Sequence, residues 1–162
     1  MNLFRLIERK FRTFFRQPVF FQLGFLPTWC LLGLARMLVL TVPFRKIAVR
    51  LGHHAGINAA VPLLTSASIV RARQISRLVT TTARYCPWNA NCFAQAITAR
   101  IWLGIYGIPY AIYFGLKKSP EQHLQAHAWV CSGPVHVTGG NSFQEFTVVS
   151  MFVSISKWVD QE

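Results

Sequence analysis

Between Leu23 and Phe44 the chain runs for 22 residues with a single charge, Arg36. A segment this apolar must be taken up by a protein core or by a membrane. A spanning helix needs about 20 apolar residues, so the length suffices. Two residues oppose spanning. An arginine in mid-membrane costs at least ~2.5 kcal/mol, and Pro27 is expected to shorten the continuous helix to about Thr28–Val42. The expectation is a buried or membrane-touching helix rather than a spanning one.

Charge divides the chain in two. Its 17 Lys+Arg residues stand against 5 Asp+Glu. Residues 1–84 hold 13 of the basic residues and one acid, Glu8, a balance of +12; residues 85–162 hold four of each and balance to zero. We therefore read 1–84 as a basic, apolar helical region for partner or membrane docking, and 85–162 as a second region with a different job, which the residues below make the catalytic core. At 52% apolar residues, the chain has enough material to bury a core, which argues against disorder. The basic, aromatic-rich first half suits anionic lipid, nucleic acid or an acidic partner.

Periodicity supplies the elements. Residues 2–16 alternate Leu3, Leu6, Ile7, Phe11, Phe14 and Phe15 with Arg and Lys, as a basic amphipathic helix does. Gly52 breaks the chain before His53 and His54, which we read as structural or surface residues. Residues 62–83 predict another amphipathic helix, opened by Pro62, with Ile69, Ala72, Ile75, Leu78 and Val79 on its apolar face. Residues 92–106 predict a helix with Ala94, Ala96 and Ala99 in its first turns, ended by Gly107 and Pro109. Strands are expected at 110–117, 124–132, 135–138 and 146–153, with a hairpin turn at Gly133–Pro134. Helices followed by an antiparallel sheet make an α+β fold.

The four cysteines, Cys30, Cys86, Cys92 and Cys131, have neither redox nor zinc spacing. No secretory signal pattern is visible at the N-terminus, so a cytoplasmic location with free thiols is expected. Cys92 differs from the other three. Pro87 forbids helix in the loop before it, and Asn89 and Asn91 are capping residues, which puts Cys92 where a helix begins. Exposed N–H groups and the helix dipole stabilise negative charge at such a position, and thiolate is the nucleophilic form. His127 lies in a strand between Ala126 and Ala128, small neighbours that leave room for another element. Trp129 shares its strand face and would shield the pair from water. A Cys/His dyad needs contact in space and no particular distance along the chain. The backbone N–H of Cys92 is the expected oxyanion donor, with Trp88 Nε1 or Asn91 as a second; Trp88 reads equally well as a packing residue.

Three stretches in order carry a resemblance: Cys30–Gly52, with its Pro-Phe-Arg and Leu-Gly; Cys86–Lys118, with Pro-Trp, the cysteine, Gln-Ala and Gly-Ile; and Ala126–Gly140, with Ala-His-Ala-Trp-Val. Together they resemble the lasso-peptide biosynthesis B proteins, in the short leader-peptidase form without its own precursor-recognition domain. The resemblance implies a transglutaminase-like, papain-related core, with the nucleophile helix packed on an antiparallel sheet. It implies a cysteine peptidase that removes the leader from a ribosomally made precursor before a separate ATP-dependent cyclase closes the macrolactam. Cys92 would be the nucleophile and His127 the base. The partners implied are the precursor, a separate leader-recognition protein and the cyclase; the basic, apolar first half adds an expected peripheral contact at the inner face of the membrane, and no nucleic acid, metal or cofactor is expected. The family's third member is an Asp about a dozen residues after the His, and no acid stands there. Asn141 is the residue expected to orient the imidazole instead, with Thr138, Glu145 and a backbone carbonyl as alternatives. This departure keeps two other readings open: a membrane-associated scaffold with little or no catalysis, and an amide-forming acyltransferase on the same fold.

Overall fold

Pro18 leads into helix α1 (Val19–Thr41) of the computed structural model, which describes residues 12, 14–56, 63–118, 123–140 and 142–154. The helix expected over 2–16 lies largely outside the described residues. Pro27 sits inside α1 without ending it, so the shortened helix expected from the sequence is corrected. The reason is its position. Pro27 is exposed, so the Leu23 carbonyl that loses its helical partner can turn to solvent. The turns on either side are held by the buried face of Phe21, Gly24, Thr28, Leu32 and Ala35. Pro43 then starts the short helix α2 (Phe44–Ala48).

Strand β1 (His53–Gly56) was not expected from its sequence, which has no apolar alternation. It forms by pairing with a later strand, His53 opposite Val153 and His54 opposite Phe152. Helix α3 (Ser66–Ala83) is capped by Thr65, whose hydroxyl accepts from the Ser68 N–H at 3.3 Å. The sequence placed this start at Pro62, which lies outside the described residues. Its buried residues, Ala72, Ile75, Leu78, Val79 and Thr82, include four of the five on the apolar face read from periodicity, and Ile69 packs beside them half-buried. Helix α4 (Cys92–Ile105) buries Ala94, Ala96 and Ala99 completely, so neighbouring elements approach it closely.

The remaining strands are β2 (Tyr110–Lys118), β3 (Leu124–Ser132), β4 (Val135–Thr138) and β5 (Thr147–Ser154), with a 3-10 turn over Ser142–Glu145. They form one antiparallel sheet in the order β1-β5-β2-β3-β4. This is the α+β arrangement expected, and the strand boundaries agree with the alternation to within a residue.

The main core draws on both halves of the chain: Leu32 of α1, Ile75 of α3, Leu103 of α4, and Ile112, Val130 and Val137 of the sheet. Each of these is fully buried, a burial that stabilises by about 1.5–3 kcal/mol for a large aliphatic side chain. Between α1 and α4 the Trp102 indole N–H donates to the Thr28 hydroxyl at 2.9 Å. On the other side of the strands Tyr113, Trp129 and Met151 form a second cluster, with the Tyr113 and Trp129 rings stacked 5.5 Å apart.

Candidate active site

The start of α4 is built by side chains. Asn91 accepts from the Ala94 N–H at 3.0 Å, and the Gln95 amide reaches back to the Ala90 carbonyl at 2.7 Å. The last two residues of the loop before Cys92 are thereby fixed, and Cys92 becomes the first residue of the helix. The Cys92 N–H belongs to the first turn, whose donors have no carbonyl within the helix to meet.

A cleft of about 340 Å³ opens at this point. One wall is the C-terminal end of α3, with Thr80, Ala83 and Arg84; another is α4, with Cys92 and Gln95. His127 of β3 and the Gly139–Gly140 turn complete it. Cys92 and His127 thus face one cleft, 35 residues apart in the sequence. No hydrogen bond joins them among the described residues, a looseness common at such pairs before substrate binds.

The cleft reaches His127 because β4 stops early. Thr138 pairs with Val130, so the stretch of β3 that carries His127 has a strand neighbour only on the β2 side, where it pairs with Gly115. The other side is taken by the turn at Gly139, whose carbonyl lies 2.9 Å from His127 Nε2. A carbonyl can only accept, so Nε2 carries the proton. In the neutral ring Nδ1 then holds the free lone pair, and no described group bonds to it. The imidazole is held flat between two rings, stacked on Trp129 at 5.9 Å and tilted against Phe146 at 5.0 Å. Gly115 keeps this space open: a Cβ there would sit 2.8 Å from Phe146 Cβ and 2.9 Å from the Trp129 ring.

The other residues singled out in the sequence fall elsewhere. Asn141 lies outside the described residues. Among the alternatives for its role, Thr138 Oγ1 is buried without a hydrogen-bond partner, and Glu145 is exposed and paired with Lys117, which holds its carboxyl below the usual range. The Gly139 carbonyl is the group found against the imidazole. Trp88 does not line the cleft; its ring packs on Trp29 at 4.5 Å and against Gly33 of α1, with Nε1 buried and unpartnered.

A second cysteine–histidine contact, Cys131 Sγ to His136 Nδ1 at 3.4 Å, sits across the β3–β4 hairpin away from the cleft. Burial pushes the Cys131 thiol up to about 11, so it stays protonated at neutral pH. Burial also raises the Cys86 thiol, whose sulfur contacts the Thr82 carbonyl at 3.6 Å. All four cysteines are free. Among the described residues no three His, Cys, Asp or Glu side chains converge as metal ligands would.

Sequence reasoning missed Gln95, Thr80, Ala83 and Arg84. Gln95 was within reach, since it lies one helical turn beyond Cys92. The α3 residues carried no signal of their own, because nothing local says which helix end will border the nucleophile.

A family model for the transglutaminase-like superfamily matches residues 38–151, which is 114 of the 162 residues. The chain belongs to the transglutaminase-like superfamily. Its members generally use a Cys-His-Asp set in peptidase or transferase chemistry. No curated protein and no solved structure matches the chain. In this transglutaminase-like fold helix α4, which carries Cys92, packs on the sheet, and a main-chain carbonyl meets the histidine on the side opposite its free nitrogen.

Proposed function

We propose that this transglutaminase-like chain is a cysteine peptidase that removes the leader from a ribosomally made lasso-peptide precursor. The observation that carries the enzymatic part is the shared cleft: Cys92 at a helix start and His127, with Nδ1 unengaged, on its rim. The pathway rests on the resemblance of the three sequence stretches.

The chemistry follows from those groups. His127 Nδ1 takes the proton of the Cys92 thiol, and the sulfur attacks the scissile carbonyl. The oxyanion that forms is met by the Cys92 backbone N–H at the positive end of α4. The C–N bond breaks as the imidazolium returns its proton to the leaving amine, which is the new N-terminus of the core peptide. His127 then takes a proton from water, whose oxygen attacks the thioester and frees the leader carboxylate. Throughout, the Gly139 carbonyl fixes the ring orientation through Nε2–H. The partners in this reading are the precursor, a separate leader-recognition protein and the ATP-dependent cyclase.

The test is incubation of the purified chain with the precursor and recognition protein of its own gene neighbourhood, read by mass. Leader and core fragments whose masses sum to the precursor plus one water, absent with Cys92→Ala, are expected. An intact precursor with folded wild-type protein would overturn the reading. A product in which the leader carbonyl is joined to an amine would make the chain an acyltransferase.

A further inference from the structure

The outward face of α1 is apolar from end to end. Val19, Leu23, Leu26, Leu34, Met37 and Leu40 are each between 63% and 73% exposed. With Pro27 and Cys30, also exposed, they recur every three or four residues and form one stripe. From Val19 to Leu40 it is about 32 Å long at 1.5 Å per residue. Arg36 and Gln22 lie half-buried at its flank, and the Gln22 amide is turned to the Phe15 and Gln17 carbonyls.

By length and composition α1 could cross a membrane, but its inner face is committed elsewhere. Thr28 is bonded to Trp102 of α4, Gly24 lies against Leu78 of α3, and Gly33 lies against Trp88. A spanning α1 would have to leave the domain core or carry it into hydrocarbon. The arrangement that keeps both faces satisfied is a helix lying along an interface, with its core side in water and its outer side in the acyl boundary.

Two observations point to lipid as the occupant. The first is charge. Exposed Arg12 and Arg16 precede the stripe and exposed Arg45, Lys46 and Arg50 follow it, and from residue 9 to residue 120 the sequence has no Asp or Glu at all. A surface of this sign is attracted to anionic headgroups. The second is what the stripe lacks. Protein interfaces carry about one hydrogen bond per 100–200 Å² and anchor on Trp, Tyr or Arg. From Val19 to Leu40 the stripe offers aliphatic side chains and a thiol, with no side-chain amide, hydroxyl, carboxylate or aromatic ring; the hydroxyl of exposed Thr41 at its end is turned back to the Met37 carbonyl at 2.8 Å. Hydrocarbon needs no partner groups, so such a face suits a bilayer and poorly suits a specific protein.

We infer that α1 is a monotopic membrane-contact helix, seating the domain on an anionic bilayer through Leu23, Leu26, Leu34, Met37 and Leu40, with its axis along the surface. This inference is independent of the peptidase reading.

The experiment is co-sedimentation of the full chain with vesicles of phosphatidylglycerol and phosphatidylcholine, against phosphatidylcholine alone, at low and high salt. Wild type should bind the anionic vesicles and lose at least tenfold in affinity for neutral ones. The triple variant Leu23→Gln, Leu34→Gln, Met37→Gln should bind at least tenfold more weakly with an unchanged melting temperature, since all three residues are exposed. Arg45→Gln with Lys46→Gln should weaken binding less, and more at low salt than at high. Folded wild type that stays in the supernatant would overturn the inference. So would a triple variant that binds like wild type, which would make the attraction charge alone. A wild-type mass in solution twice that of the triple variant would assign the face to a second copy of this chain instead.

Discussion

His127 Nε2 and the carbonyl oxygen of Gly139 are 2.9 Å apart, on a strand and on the turn that follows the neighbouring strand. Members of the superfamily generally use an Asp with the Cys and His; here the described group against the imidazole is a main-chain carbonyl. A main-chain carbonyl can fix the tautomer as a carboxylate does, but it offers the imidazolium a dipole in place of a full negative charge. Orientation of the base is therefore retained, while the stabilisation of its charged form is weaker.

Gly139 has no room for a side chain. A Cβ would lie 2.2 Å from Trp129 Cβ, 2.9 Å from Trp129 Cα and 3.3 Å from His127 Nε2, and the residue has φ +96°. Gly139→Ala must shift the turn and take the carbonyl with it. Misplacement of a catalytic group by about 1 Å costs on the order of 10²-fold in rate, so leader cleavage should fall by about that factor with the far-UV spectrum intact. His127→Ala should abolish it. Asn141→Ala should stay within about tenfold of wild type if the carbonyl alone orients the ring. A Gly139→Ala protein of full activity would remove this carbonyl from the mechanism.

Cys131 should be inert where Cys92 reacts. Its folded-state value of about 11 lies above the ordinary thiol value of 9.0, so the folded protein holds this proton more tightly than the unfolded chain. The associated stability is complete below pH 9 and is lost as pH rises from about 9 to about 11. Brief iodoacetamide treatment at pH 7.5, followed by peptide mapping, should modify Cys92 and the exposed Cys30 and spare Cys131. A Cys131→Ser protein should lose less stability between pH 9 and 11 than wild type. Rapid alkylation of Cys131 in folded protein would contradict its assignment as a buried thiol.

Local pattern was enough to place most elements, because each carries its own period. Alternation in Leu124–Ser132 and Val135–Thr138 marks half-buried strands, and Asn91 before Cys92 marks a helix start whichever neighbours pack on it. The failures were non-local. Strand β1 exists because β5 offers it an edge, and its His-His-Ala-Gly sequence does not advertise that. Pro27 was read as a break that starts the helix at Thr28, since the sequence does not show that its two flanking turns are pinned to α3 and α4. At the site, residue type and setting singled out Cys92 and His127, and the fold brings both to one cleft. The carbonyl of Gly139 was not singled out, because main-chain acceptors are present at every position and only the fold selects one.

Thr28 tests whether α1 belongs to the core or only rests on it. Its hydroxyl is fully buried and accepts the Trp102 indole N–H at 2.9 Å. Thr28→Val keeps the volume and leaves the indole N–H without an acceptor, a loss worth about 1–3 kcal/mol. Chemical denaturation should show that loss as a lower midpoint with the same slope. An unchanged midpoint would mean that α1 contributes little to the domain's stability through this bond. Thr28→Ser retains the acceptor and should recover the part of the loss that belongs to the hydrogen bond.

Arg84 should bias the cleft toward acidic substrates. It is exposed at the end of α3, on the cleft wall, and among the described residues no carboxylate lines the cleft with it. An unpaired guanidinium beside a scissile bond attracts a carboxylate and repels an ammonium, and at an exposed site the effect is screened over about 10 Å at 0.1 M salt. Precursor variants with Glu beside the cleavage site should therefore show a KM several-fold lower than those with Lys there, with the gap narrowing as salt rises. Arg84→Glu should invert the order. If the preference for Glu survives that reversal, the selectivity comes from the basic surface as a whole, and a charge reversal on α3 further from the cleft, at Arg77, should weaken it as much.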